Sequence, residues 1–246
     1  MLKLTAIFVG AIFSILPYTA QSQKATVTYS THTISKQDKT DSALAAMLKP
    51  YTENLNNYLH TVIGFSTRGL FKKQPESGLG NFMADCIREI TSQKYERSVD
   101  IACINYGSIK SFIPKGDIMI EDIYTVIPFD NVIVLQEIKG NVLLQLLNKI
   151  AERGGLPISG IKMQIKNKQA ENILINDKSL DENALYIIAT NDYMANGGDG
   201  CNMLKNLPTI NKGYLFRDAV IEYIQQTSKK GKTIDWKIQG RITYAN

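Results

Sequence analysis

Three short polar stretches contain residue types that could bind a flat ligand carrying hydroxyl groups. They are "NYGSIK" (105–110), "VIPFDN" (126–131) and "NDYMANGGDG" (191–200). Phe129 and Tyr193 could sandwich a planar ring, and each stacked face would contribute about 1–3 kcal/mol. Asp199 could accept hydrogen bonds from two sugar hydroxyls, and Lys110 carries the charge that would suit an anion.

Each of these residues also has an ordinary structural interpretation. Phe129, which follows Pro128, and Tyr193 could be loop aromatics that pack against the core. Asp199 between glycines could form a turn by accepting hydrogen bonds from its own backbone. Lys110 could be a plain surface lysine. The residues alone leave a ligand site and a set of turns both open.

Apolar runs of strand length adjoin all three stretches. They are "VDIACIN" (99–105), "DNVIVLQEI" (130–138) and "ALYIIAT" (184–190). The first is continuous in its apolar residues, which is typical of a strand buried on both faces. If the three strands share one sheet, the adjacent loops converge on one edge of it, where ligands commonly bind.

Helical periodicity surrounds these strands. Asp41 is a predicted N-cap, and apolar residues at three- and four-residue spacings predict a long helix after it, kinked by Pro50. Further amphipathic helices are predicted over residues 80–90, 140–155 and 216–230, with a hairpin over 161–180 and a last strand within 237–245. Helices and strands do not alternate regularly. We therefore predict a single α+β domain with a mixed sheet over residues 41–246.

The amino-terminal residues resemble a targeting segment. Lys3 precedes an apolar run over residues 4–16 that is too short to span a membrane, and small residues follow. We predict a signal peptide over residues 1–22, a polar arm or linker over 23–40, and an exported protein, periplasmic or extracellular. The formal charge is only +5, with basic and acidic residues interspersed, so we expect no nucleic-acid partner.

The chain has three cysteines, Cys86, Cys103 and Cys201. An odd number in an exported chain leaves at least one free thiol. Cys86 lies in a helical pattern and Cys103 in an apolar strand pattern, which favours burial as small hydrophobic residues. A disulfide between two of the three remains the alternative.

The order and spacing of five stretches resemble the C-terminal, substrate-binding domain of the 5′-nucleotidase or UDP-sugar hydrolase family. The stretches are "GLGNFMADCIR" (78–88), "NYGSIKSFIPKGDI" (105–118), "TVIPFDNVIVLQEIKG" (125–140), "ISG" (158–160) and "ATNDYMANGGDG" (189–200). Each string alone is weakly specific, but the five together extend the resemblance over residues 44–244. The implied fold is that family's α+β domain.

The resemblance implies a nucleotide site. Phe129 and Tyr193 would clamp the nucleobase, and Asp199 would hold the ribose hydroxyls. Asn105 and Lys110 would contact the nucleotide. Asn131 and the backbone around Gly160 would lie near the base. This chain departs from the family at Lys110, where arginine is usual, so the planar bidentate grip on a phosphate is lost; its loop also lacks two of the family's glycines.

Catalysis in this family belongs to a metallophosphoesterase domain with two metal ions held by several His, Asp and Asn residues. This chain has only two histidines, His32 and His60. We expect no catalytic or metal-binding residue and no cofactor in this chain, with divalent metals on a separate metallophosphoesterase chain. The resemblance therefore favours one half of a split 5′-nucleotidase. A stand-alone nucleoside-binding protein and a decayed site retained for protein contact remain alternatives.

Overall fold

A computed structural model describes residues 27–33 and 41–245. The predicted signal peptide and most of the predicted arm lie outside these residues. The chain divides into two units, Met1–Ala45 and Ala46–Asn246. In the first unit, the Asp41 carboxylate accepts hydrogen bonds from the amides of Ala43 and Leu44 at 2.9 and 3.1 Å, so the predicted N-cap is confirmed. Within the described residues, the helices are all too short or too polar to cross a membrane.

Helices and strands alternate irregularly along the chain from Ser42 onward. The helices are α1 (Ser42–Leu59), α2 (Gly78–Tyr95), α3 (Ile120–Val126), α4 (Gly140–Glu152), α5 (Asp192–Ala195) and α6 (Phe216–Lys229). The strands are β1 (Val62–Ser66), β2 (Ile101–Cys103), β3 (Gly116–Met119), β4 (Val132–Lys139), β5 (Ile158–Ser159), β6 (Ile161–Lys166), β7 (Gln169–Ile175), β8 (Lys178–Ser179), β9 (Leu185–Asn191), β10 (Thr209–Leu215) and β11 (Ile242–Tyr244).

A five-stranded sheet in the order β10-β4-β9-β2-β5 forms the centre of the fold. Its β2 and β9 are parallel, whereas the other neighbouring pairs are antiparallel. A four-stranded sheet, β11-β6-β7-β8, contains the predicted hairpin, and β1 pairs with β3. The predicted α+β class with a mixed sheet is confirmed.

The central sheet lies between two apolar clusters. Ala102 and Ala189 belong to the cluster that α2, α3 and α6 cover, whereas their neighbours Ile101 and Ile188 belong to the cluster of α4 and the four-stranded sheet. Alternate residues of one strand thus face opposite clusters. The strand over residues 101–103 is buried on both faces, as its continuous apolar run predicts.

Helix α1 is present as predicted, but none of its residues is buried. Its apolar stripe includes Met47, Tyr51 and Leu55, which are 63%, 74% and 55% exposed. A helical period predicts where apolar side chains align, but it does not show what covers them. In the part of the chain that the structure describes, this stripe has no covering element.

Several elements were not predicted from the pattern, and α3 and β10 show why. Helix α3 has only seven residues, which is too short for helical periodicity to be distinctive. Strand β10 lies at the edge of the central sheet, and most of its residues are exposed, so its sequence lacks the apolar alternation of a half-buried strand.

The three cysteines are buried free thiols, so the burial interpretation is confirmed. Burial, together with the nearby Asp199 carboxylate, raises the pKa of Cys201 to about 11. Burial also raises the pKa of Cys86 and Cys103. The thiols are therefore protonated at neutral pH and behave as small apolar side chains.

Candidate functional site

The three polar stretches meet at one end of the central sheet, which we call the rim. Strands β2 and β9 run parallel and both end there, and β4 runs antiparallel to β9 and begins there. The loop after β2, the loop before β4 and the segment after β9 consequently lie side by side. The predicted convergence of the three loops is confirmed.

A buried amide network fixes two of these loops to each other. The Asn191 side-chain amide donates to Asn105 Oδ1 at 2.8 Å and to Ser108 Oγ at 3.1 Å, and Asn191 Oδ1 caps α5 by accepting from the Met194 amide. Asn105 is only 6% exposed. The oxygen of Asn105 thus holds the loops together, and its role toward a nucleotide stays a prediction.

Phe129 lies at the rim with 42% of its surface exposed. The Lys110 ammonium lies 5.2 Å from the centre of the Phe129 ring, within the range of a cation–π contact. The Lys110 backbone amide donates to the Val126 carbonyl at 2.8 Å. The two loops are therefore joined by both backbone and side chain, and Lys110 is placed beside the aromatic residue that the family resemblance assigns to the base.

Asn131 connects the Phe129 loop to the segment that carries Tyr193. Its side-chain amide donates to Asp192 Oδ1 at 2.9 Å, and Asp192 directly precedes Tyr193. Tyr193 is 45% exposed. Neither Phe129 nor Tyr193 stacks on another aromatic ring within the described residues. Both rings face solvent, Phe129 from a loop and Tyr193 from the short helix α5, and neither is turned into the core.

The glycines of "NGGDG" shape the loop around Tyr193. Gly197 and Asp199 both have positive φ angles, 89° and 55°. Such angles are sterically strained for most residues, and Gly, Asn and Asp adopt them at the lowest cost. A Cβ on Gly198 would lie 2.5 Å from ring carbons of Tyr193, so only glycine allows this approach. The turn thus supports one part of the Tyr193 ring.

Asp199 makes contacts that its own stretch of sequence does not reveal. Its amide donates to the Tyr193 hydroxyl at 3.3 Å, and that hydroxyl lies 3.4 Å from Asp199 Oδ1. Arg153 contacts the same Oδ1 at 3.0 Å and the Asp199 carbonyl at 3.2 Å. These contacts to the carboxylate involve one of its two oxygens. Arg153 follows α4 and precedes the glycines that end the helix. The residues around Arg153 in the sequence do not indicate that it pairs with Asp199.

Lys72 is a second rim residue that sequence reasoning missed. Its ammonium donates to the Ile109 carbonyl at 2.6 Å and lies 4.3 Å from the centre of the Tyr106 ring. Burial, followed by the positive charge of Lys110, lowers the pKa of Lys72. Two mutually repelling ammonium groups therefore lie at this side of the rim, and a bound anion would relieve their repulsion. Nothing in "FKKQ" distinguishes Lys72 from Lys73.

Gly160 does not belong to this group, and the expectation that its backbone lies near the base-binding residues is wrong. Its neighbour Ser159 pairs with Ala102 in an antiparallel register, so Gly160 lies beside the beginning of β2, whereas the rim is at the end of β2. A Cβ there would lie 2.1 Å from the Asp100 carbonyl, and φ is 80°. Close strand packing accounts for this glycine.

The region around Gly160 contains a polar cluster that we call the far-end network. Arg241 donates to both Asp85 oxygens at 2.8 and 2.7 Å. Asp85 also accepts from Ser159 Oγ at 2.6 Å and from the Trp236 indole at 2.8 Å. A cavity of about 210 Å³ adjoins this network. Its guanidinium and carboxylate groups are already paired, so the cavity is a weaker ligand candidate than the rim.

The residues that the structure describes contain no group of three or more His, Cys, Asp and Glu side chains arranged to hold a metal ion. His60 lies 3.4 Å from Glu121 in an exposed pair, and His32 is exposed. The side chains present here do not fit a two-metal centre, which needs several ligands around each ion.

Comparisons with known proteins identify the family of the chain. A family model described as "5'-nucleotidase, C-terminal domain" matches residues 56–206. A 5'-nucleotidase of Vibrio vulnificus is 28% identical over 203 residues, which is 79% of this chain and 36% of that protein. Protein UshA of Escherichia coli is 28% identical over 145 residues, 56% of this chain and 26% of that protein.

Solved structures show the same fold. A 5'-nucleotidase precursor from Thermus thermophilus superposes with a TM-score of 0.70 at 24% identity, covering 84% of this chain and 44% of that one. The NAD nucleotidase of Haemophilus influenzae gives 0.65 at 16% identity, covering 84% and 42%. This chain spans about a third of the length of the curated 5'-nucleotidases that it matches.

Proposed function

Because the chain belongs to the 5'-nucleotidase C-terminal domain family, we propose that it binds the nucleoside part of a nucleotide at the rim. One observation carries this proposal: Phe129, on a loop, and Tyr193, on the short helix α5, both have solvent-facing rings, and a hydrogen bond between Asn131 and Asp192 joins the two segments. A base between the rings would gain about 1–3 kcal/mol per stacked face. This would be the clamp that the family resemblance implies.

The polar residues of the rim suit the rest of a nucleotide. Asp199 uses one carboxylate oxygen for Arg153 and Tyr193, which leaves the other oxygen to accept a ribose hydroxyl. Lys110 and Lys72 supply positive charge on the side of Phe129 and Tyr106. Because lysine offers a point charge and not a planar fork, we expect weaker and less directional phosphate binding than an arginine would give.

We further propose that hydrolysis of the phosphate ester depends on a separate metallophosphoesterase chain that carries the divalent metals. The matched relatives are about three times longer than the part this chain covers, and the described residues do not fit a metal centre. The exposed stripe of α1, with Tyr51 and Leu55, is our candidate surface for that partner. Within this complex, the chain would hold the nucleoside while its partner provides the hydrolytic centre.

Calorimetry with adenosine, AMP and UDP-glucose tests the binding proposal. We expect heat of binding for at least one of these ligands and its loss in Asp199→Ala. Asp177→Ala is a matched control, since Asp177 also has a positive φ and also pairs with a cation, Lys162, but lies away from the rim. An absence of heat at millimolar ligand would refute binding.

Mixing experiments test the catalytic part. The partner to test is a metallophosphoesterase whose gene adjoins the gene for this chain. Its rate of phosphate release from AMP should rise when this chain is added, and Asp199→Ala should abolish that increase in rate. An unchanged rate in the mixture, with binding intact, would leave a nucleoside-binding protein without a catalytic partner.

The pattern of residues 1–22 supports a proposal of export to the periplasm or beyond the cell. The mass of the mature protein recovered from the producing cells measures this directly. We expect loss of the first 20 to 22 residues, and an intact amino terminus would contradict it.

A further inference from the structure

Arg217, in the first turn of α6, lies beneath the loop that carries Phe129. Its side chain is only 9% exposed, yet it bears a charge. It donates to Asp130 Oδ1 at 2.6 Å and to the Ile127 carbonyl at 3.4 Å, and its guanidinium lies 4.1 Å from the centre of the Tyr124 ring. All three contacts are with residues within five positions of Phe129.

The contacts hold the loop on both sides of the aromatic residue. Ile127 precedes Phe129 by two positions and Asp130 follows it directly. One residue further on, the Asn131 carbonyl accepts from the Phe216 amide at 2.9 Å, so the beginning of α6 contacts the loop a third time. Pro128, Phe129 and Asp130 are themselves exposed. The shape of the loop therefore depends on anchors and not on burial of the loop.

Arg217 remains charged in this position. Burial acts to lower its pKa, but the hydrogen bond with Asp130 and the neighbouring Tyr124 raise the pKa overall. The Arg217 Nε has no hydrogen-bond partner among the described residues. A buried guanidinium whose remaining bonds go to one loop is a strong constraint on that loop, because rearranging the loop would leave the charge unpaired.

We propose that Arg217 is a positioning residue for nucleoside binding, which holds the Phe129 loop in the conformation that offers the ring to a base. This inference rests on the proposed function. The apparent affinity for a ligand is lower when a smaller fraction of the unliganded molecules has the site in its binding conformation. Arg217 would act by raising that fraction in the unliganded protein, without touching the ligand.

Hydrogen exchange without ligand tests the inference separately from nucleoside binding. In Asp130→Ala and in Arg217→Lys we expect the amides of Ile127 and Phe216, which donate to the Ile123 and Asn131 carbonyls at 2.8 and 2.9 Å, to exchange about three to ten times faster. Lysine retains the charge but cannot reach both loop partners in the arginine geometry. The amides of residues 197–200 should exchange at the wild-type rate. Glu137→Ala, which breaks the exposed Arg97–Glu137 pair, is the control.

Affinity for adenosine should fall in parallel, by about three- to tenfold, in both variants. The double variant should be little worse than either single variant, because both changes remove the same contact. Should Arg217→Lys fail to fold, Asp130→Ala still tests the contact, since the Asp130 side chain is 78% exposed. Wild-type exchange at the amides of Ile127 and Phe216 in folded Asp130→Ala would overturn the inference. Faster exchange with no adenosine binding by the wild type would refute only the proposed function.

Discussion

Two aspartate–arginine pairs lie at opposite ends of the central sheet. They differ in how many hydrogen-bond acceptor sites of the carboxylate remain without a protein partner among the residues that the structure describes. In the far-end network, Arg241 contacts both oxygens of Asp85, whose remaining capacity goes to Ser159 and Trp236. At the rim, Arg153 contacts one oxygen of Asp199. A completed pair stabilises the fold, whereas an incomplete one can still accept a ligand.

The same contrast applies to the aromatic residues. Trp236 at the far end packs edge-on against Phe82 and Tyr223 at 5.2 and 5.9 Å, whereas Phe129 and Tyr193 at the rim lack an aromatic partner in the described residues. A cavity of about 210 Å³ adjoins the far-end network. The rim has exposed aromatic rings and, within the described part of the chain, an aspartate oxygen without a protein partner. These features favour the rim as the ligand site, because a ligand could hydrogen-bond to the oxygen and stack on the rings.

The largest expected effect is at the far end. Asp85→Ala removes the partner of a buried guanidinium, and we expect the free energy of unfolding to fall by about 3–5 kcal/mol in urea titrations. Affinity for adenosine should stay unchanged in the folded protein. Glu137→Ala, at an exposed carboxylate that also pairs with an arginine, Arg97, should change stability by less than about 1 kcal/mol. A stable Asp85→Ala protein would show that the pair is not structural.

The opposite result is expected for the rim aromatics. Phe129→Ala and Tyr193→Ala should each weaken adenosine binding by about 1–3 kcal/mol, because each removes one stacked face. Thermal unfolding of Phe129→Ala should be close to that of the wild type, since the ring is exposed. Phe65→Ala is a matched control, with 44% exposure against 42% for Phe129. Equal affinity in all three variants would rule out a base clamp.

Lys72→Met sharpens the comparison within the rim. We expect AMP affinity to fall by about 1 kcal/mol and adenosine affinity to stay constant, because only AMP carries a phosphate. Lys73→Met is the control.

The pH dependence of AMP binding by the wild type provides a second readout on Lys72. The lowered pKa of Lys72 means that its charge is complete below that pKa and is lost at a lower pH than for an ordinary lysine. The preference for AMP over adenosine should therefore decline in that alkaline range. A preference that persists until ordinary lysines titrate would exclude Lys72 from phosphate binding.

The smallest effect is expected for Arg153→Gln. Stability should change by less than about 1 kcal/mol, because Arg153 is 42% exposed. The preference for adenosine over 2′-deoxyadenosine should shrink about twofold to fivefold, since Asp199 loses the contact that orients it. Lys162→Gln, which breaks the comparable pair with Asp177, is the control and should leave this ratio unchanged.

Local patterns predicted the fold well because they report burial. The continuous apolar run at residues 101–103 predicted a strand buried on both faces, and the periodic runs predicted α2, α4 and α6. Patterns failed at β10 because this edge strand is exposed, and at α3 because seven residues are too few for a distinctive helical period. The sequence also did not reveal that the apolar stripe of α1 is exposed. Helical periodicity shows which side chains share a face of the helix, but it does not show what packs against that face.

The site was predictable only in part. The residues assigned to the rim lie in segments that adjoin the apolar strands, so topology brings them together. Arg153, Lys72 and Arg217 were missed because their partners are 46, 37 and 87 positions away in the chain. Gly160 was misplaced because its assignment rested on the family resemblance alone, and nothing in the sequence shows that Gly160 packs closely against the Asp100 carbonyl.

The buried state of all three thiols has a practical consequence for spectroscopy. Since Cys86, Cys103 and Cys201 are enclosed and protonated at neutral pH, maleimide reagents should leave the folded chain unmodified. A cysteine introduced at an exposed position would then be the only reactive one. Fluorophores or spin labels could be attached selectively, for example at Lys73, without first removing the native sulfhydryl groups.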